Sequence, residues 1–212
     1  MTPRPATGPS AAETRLFRRL RTPRAVQRWL SALPYNHETR GETLRSFRGV
    51  VRHHTAHCLE AALAAATLLE PHGHPPLLLT FESVDLLDHV LFLFRENGRF
   101  GAIARSRQIG IQGRRPVYAT PRALARSYLD PYVDLTGRIK SWAVADLREL
   151  GSYDWRFAAT NVWKVERWLV DYTYKPLTMP DRRYRALLAR YARFKERHPD
   201  RQPLYYARRD WI

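Results

Sequence analysis

Residues 55–69 read TAHCLEAALAAATLL. Cys58, Ala61, Ala62, Ala65 and Leu69 recur at helical spacing on one face, and Leu59, Leu63 and Ala66 extend the apolar surface around it. A helix apolar nearly all round belongs inside a protein. Its alanines carry little bulk, so a sheet can pack close against it. The spacing predicts a helix that begins at about Cys58, the only cysteine in 212 residues. At a helix N-terminus the unpaired N–H groups and the positive end of the dipole favour thiolate, the nucleophilic form of cysteine. The plain alternative is a small buried hydrophobe, and the sequence that follows weighs against it.

Downstream, PLLLTFES (76–83) is a short apolar run bounded by Pro and Ser/Asp, which reads as a buried strand. DHVLFLF (88–94) reads as a second strand. Asn97-Gly98 is a hairpin turn signal, because both central residues of a type I′ turn need positive φ, and FGAIARS (100–106) is the returning strand. A short strand at Val117-Tyr118, a helix opening at Thr120-Pro121 and a strand over 141–147 follow. Helices are expected over 158–170 and 181–197, the last with a basic outer face. Upstream, residues 1–10 are Pro/Gly/Ser/Thr-rich and expected to be disordered. Residues 11–33 read as short basic helices broken near Thr22-Pro23, and Leu44, Phe47, Val50 and Val51 mark a short helix leading into the cysteine turn. The tail, 198–212, carries Tyr205, Tyr206 and Trp211 and is expected to dock as a strand or loop. Helices, then three or more strands, then helices describe an α+β fold with a mainly antiparallel sheet. One domain is expected over 11–212, with its core at about 43–150 and a C-terminal helical extension at about 155–212.

A chain of 24.8 kDa with 44% hydrophobic and 12% aromatic residues can bury a sizeable core. No apolar run is long enough to span a membrane. The N-terminus lacks the apolar region of a secretory signal. A lone cysteine excludes an internal disulfide framework and fits the cytoplasm. The formal net charge of +16 suggests an anionic partner or an acidic substrate. The basic residues are 32 Arg and 4 Lys spread along the chain, a skew that a GC-rich coding sequence also produces, so nucleic acid is not the favoured partner.

A cysteine nucleophile needs a base, and the base needs an orienting group. Of eight histidines, His89 is the one on a regular element, near the start of the second strand. Counting back from the Asn97-Gly98 turn sets His89 opposite Ser106, and facing residues have Cβ atoms about 4.5–5.5 Å apart. Ser106 is thereby placed to hydrogen-bond the imidazole. Asp88 should point to the opposite face and Asp85 lies in the preceding turn. A carboxylate from Asp130, Asp134 or Asp146 is the alternative orienting group.

TAHCLEAALAAATLL followed by DHVLFLFRENGRFGAIARS resembles the transglutaminase-like cysteine hydrolase superfamily, whose fold is related to papain. The resemblance covers about residues 43–106. It implies a central Cys-bearing helix packed on an antiparallel sheet, with Cys58 as nucleophile and His89 as base. It implies thiolate attack on an amide or ester, an acyl-enzyme, and water or an amine as acceptor, without a cofactor. The oxyanion would be met by the Cys58 backbone N–H and a second donor. Phe100 matches the aromatic that stands four residues before the family's Asp, so that Asp falls at Ala104, where none is present.

Two other readings remain. His53, His54, His57, Cys58, His72 and His74 cluster in sequence, but without zinc-type CxxC or HExxH spacing; the plain reading is loop or surface histidines, with His57 flanking the cleft. A catalytically degenerate basic module on the same fold, binding an acidic protein or nucleic acid, is the main rival. It has no need for Cys58 and His89 to meet.

Overall fold

The computed structural model describes residues 8–86 and 88–203, and shows an α+β chain. Seven α-helices occur among these residues: α1 (Ala11–Arg19), α2 (Pro23–Ala32), α3 (Phe47–His53), α4 (Cys58–Leu69), α5 (Pro121–Arg126), α6 (Trp163–Val170) and α7 (Asp181–Arg197). The strands are β1 (Leu77–Ser83), β2 (His89–Glu96), β3 (Arg99–Ile103), β4 (Arg114–Tyr118), β5 (Ile139–Asp146) and β6 (Lys175–Pro176). They form one antiparallel sheet in the order β4-β3-β2-β1-β5-β6. The expected disorder at 1–10 falls mostly outside the described residues, as does most of the expected docked tail.

Helix starts follow local chemistry. Ser10, Thr22, Ser46 and Thr120 each accept a hydrogen bond from the backbone N–H three residues on, with Pro at the first turn of α2 and α5. The helix expected over 158–170 is shorter at its front: α6 begins at Trp163, because Val162 N–H is given to the Leu44 carbonyl at 2.7 Å and the preceding backbone is not helical.

The sheet is covered on both faces. Leu78, Val90, Phe92, Phe94 and Ile103 join the buried faces of α2, α3, α4 and α6 in one core. Leu79, Phe81, Leu91, Leu93 and Ala102 join α5, Tyr128, Tyr132 and the inner face of α7 in the other. Burial on both faces explains why β2 reads as a continuous apolar run. Helix α4 is buried along its length, with Ala61, Ala64, Ala65 and Ala66 fully inaccessible, and it packs on β2.

Asn97 and Gly98 have φ of 48° and 77°, as the type I′ turn requires. The β2–β3 ladder therefore keeps the register counted from that turn, from Glu96–Arg99 back to Phe92–Ile103. There it stops. The Gln27 side chain takes both backbone groups of the next residue, accepting from Ala104 N–H at 2.9 Å and donating to Ala104 C=O at 2.8 Å. The chain leaves the sheet before it could bring Ser106 opposite His89, which is paired on its other edge with Phe81 of β1.

At Gly101, a Cβ would lie 2.5 Å from Phe94 Cζ and 2.8 Å from the Arg114 carbonyl oxygen. The β3–β4 register shifts around this residue. Gly101→Ala is expected to destabilise the protein by about 1–3 kcal/mol, the usual range for overpacking, read as a lower denaturation midpoint in urea with an unchanged slope.

Candidate active site

The N-terminus of α4 is built around Glu60, a carboxylate with no solvent exposure. One oxygen accepts from His57 N–H at 3.1 Å and from Asn36 Nδ2 at 3.1 Å. The other accepts from Arg45 N–H at 2.9 Å and Thr43 Oγ1 at 3.1 Å. The Arg45 guanidinium lies 3.9 Å away and His57 Nε2 3.7 Å away. A buried carboxylate is tolerable only when its oxygens are satisfied in this way. The result fixes His57 as the N-cap and Cys58 as the first helical residue.

Cys58 is half-buried at the foot of a cleft of about 630 Å³. The fold brings His89 to it. Cys58, His89 and Ser106 line one smaller cavity beside the cleft, together with Tyr35, Ile111 and Asp134. Burial pushes the thiol up, but hydrogen bonds from His57 and His89, and the charge of both imidazoles, outweigh it and draw the thiol down to about 5. Burial likewise disfavours a charged His57. The hydrogen bond and charge of Cys58, the Glu60 carboxylate and the Thr43 carbonyl override that and raise the imidazole to about 9. Between these values the pair stands as thiolate and imidazolium.

His89 is buried, and its Nε2 meets the Ile111 carbonyl at 3.0 Å. Donation from Nε2–H leaves Nδ1 for the thiol proton. The orienting group of this imidazole is thus a backbone carbonyl, where Ser106 was expected. Ser106 Oγ accepts from Gln108 N–H at 3.1 Å and helps to hold the loop that presents Ile111. The alternative carboxylates are also engaged elsewhere: Asp130 with Arg183, Asp146 with Arg148, and Asp134 with Gln108 Nε2 at 2.8 Å. Ala104 is buried, with its backbone held by Gln27. The carboxylate of this site is Glu60, and it acts on His57.

Sequence reasoning passed over Glu60 and left His57 as a flanking group. The signal for Glu60 was a lone acid at the third position of an otherwise apolar helix, the position from which Glu reaches back to the N-cap N–H. The Ile111 carbonyl had none, since a backbone group has no residue type.

The cleft is acidic. Glu38, Glu42, Glu82, Asp88 and Glu166 line it, against Arg107 and Lys140. In the whole chain basic residues outnumber acidic ones 36 to 20, so the lining reverses the overall balance. Lys140 lies 3.8 Å from Glu82, which reduces the free positive charge further. Among the described residues no group of three or more His, Cys, Asp or Glu is placed to hold a metal ion, and no helix is long and apolar enough to cross a membrane. No protein-family model matches the chain, and no curated protein matches it.

Cys58 alkylation by iodoacetamide is expected to rise with pH through a midpoint near 5, well under the ordinary thiol value of about 8.5. His57→Ala and His89→Ala should each move the midpoint upward by about a unit or more, the scale of one lost hydrogen bond to a charged group. Stopped-flow alkylation across pH 4–9 checks this; a midpoint unmoved in both variants counts against the assembled site.

Proposed function

We propose that the protein is a cysteine-dependent acyl-transfer enzyme, an amide or peptide hydrolase or transamidase of transglutaminase-like, papain-related type. The observation that supports this reading best is the Cys58 thiolate flanked by two imidazoles whose outer nitrogens are tied to backbone carbonyls, at the foot of an open cleft. Cys58 attacks the carbonyl carbon of an amide or ester. His89 takes the thiol proton and returns it to the leaving group. His57, held as imidazolium by Glu60 and the Thr43 carbonyl, keeps the sulfur ionised while the acyl group is absent. Water or an amine then takes the acyl group from sulfur. A cytoplasmic location accords with this thiol chemistry.

The acidic lining favours a substrate with a cationic group near the scissile acyl. The acidic substrate suggested by net charge would find mostly carboxylates here. The rival reading, a degenerate basic binding module, draws on the exposed arginines of α7 and does not require a thiol paired with two imidazoles.

Incubation with p-nitrophenyl acetate is expected to leave one acetyl group on Cys58, read by mass spectrometry, and none in Cys58→Ala. The acylation rate should rise through about pH 5 as the thiolate forms. With peptide esters, Lys or Arg beside the acyl group should raise kcat/KM about tenfold over Glu, less so in high salt, since exposed charges are screened over about 10 Å at 0.1 M. A protein that stays unacylated while Cys58 alkylates normally would remove the enzyme reading.

A further inference from the structure

We infer that the Tyr35 phenol is the second donor of the oxyanion hole, paired with the Cys58 backbone N–H; this role rests on the acyl-transfer reading. The segment before Tyr35 runs beside the entry to α4. Ala56 N–H donates to the Pro34 carbonyl at 3.4 Å and Asn36 N–H to the Ala56 carbonyl at 3.2 Å, with Tyr35 bridging Ala56 in parallel. Tyr35 therefore lines both the main cleft and the smaller cavity holding His89, in each case together with Cys58. Its phenol and the Cys58 backbone N–H lie near enough to act on each other.

That N–H is among the first in the helix and has no intrahelical acceptor. When it donates to the phenolic oxygen, the phenol's own hydrogen is left for another acceptor. A carbonyl oxygen attacked by Cys58 Sγ arrives beside the same N–H. It can then accept from Cys58 N–H and from Tyr35 O–H together.

The ring is fixed before substrate arrives. The Arg105 guanidinium lies 5.7 Å over it, and the His37 ring packs edge-on with centroids 5.0 Å apart. Arg105 is itself anchored on the Leu33 carbonyl at 2.9 Å, and Asn36 on Glu60. A donor already in place needs no reorganisation as charge develops. Burial and the neighbouring Cys58 charge push the phenol up to about 12, so it keeps its proton across the working range.

In the step itself the sulfur lone pair forms the S–C bond, and the carbonyl π pair moves onto oxygen. Tyr35 donates a hydrogen bond to that oxygen and transfers no proton. When the π bond reforms, the bond to the leaving group breaks, and the leaving group takes its proton from His89.

Tyr35→Phe separates this role from others. Acetylation of Cys58 by p-nitrophenyl acetate is expected to fall about a hundredfold or more, the scale of losing one oxyanion donor. Iodoacetamide alkylation, which forms no oxyanion, should keep its rate and its midpoint near 5, and so reports an intact fold and thiol. Acetylation at the wild-type rate in Tyr35→Phe, or an equal loss of both reactions, would overturn the assignment. Wild-type Cys58 that alkylates with the low midpoint yet is acetylated no faster than a free thiol would overturn the acyl-transfer reading, and Tyr35 with it.

Discussion

The Glu60 carboxylate holds the centre of the molecule together. It is the one acid in an apolar helix, and leaving it ionised and unpaired would cost several kcal/mol. Four donors from separate stretches converge on it: the N-cap at His57, the loop backbone at Arg45, and the side chains of Thr43 and Asn36. Each donor brings a functional group with it. His57 carries the imidazole that pairs with the thiolate. Thr43 offers the carbonyl that orients that imidazole at 3.0 Å. Asn36 anchors the segment holding Tyr35. The carboxylate resembles structural glue, yet its geometry places the groups that surround Cys58.

The two imidazoles are distinguished by what stands behind them. Both direct Nε2 at a backbone carbonyl. His57 also has a carboxylate 3.7 Å away, and that charge, with the adjacent thiolate, keeps it protonated to about pH 9. His89 has a neutral carbonyl dipole behind it, that of Ile111. On the acyl-transfer reading, environment gives one residue type two roles, a charge partner for the sulfur and a proton carrier.

Net charge describes the outside of this protein. The exposed arginines of α7 and the N-terminal helices dominate the sum, while five carboxylates gather where a substrate would lie. A positive exterior around a negative cleft would favour anionic groups at the surface and cationic groups at the thiol, so the two surfaces would recognise different chemistry.

Much of the fold was legible in the sequence. The apolar run after Cys58 read as a buried helix, the Asn97-Gly98 turn set the β2–β3 register, and Thr-Pro pairs marked two helix starts. These are local signals: periodicity, turn dihedrals and caps involve residues within a few positions of one another. The nearness of Cys58 and His89 was foreseen by resemblance, and the tertiary structure brings them to one cavity. The orienting group was not legible. Gln27, 77 residues away, ends the β3 ladder at Ala104, and the loop that follows delivers the Ile111 carbonyl in place of Ser106. The Glu60 hub, the approach of Tyr35 and the acidic lining have the same origin. They join groups far apart in sequence through loops whose paths follow no period, so only the packed chain could decide them.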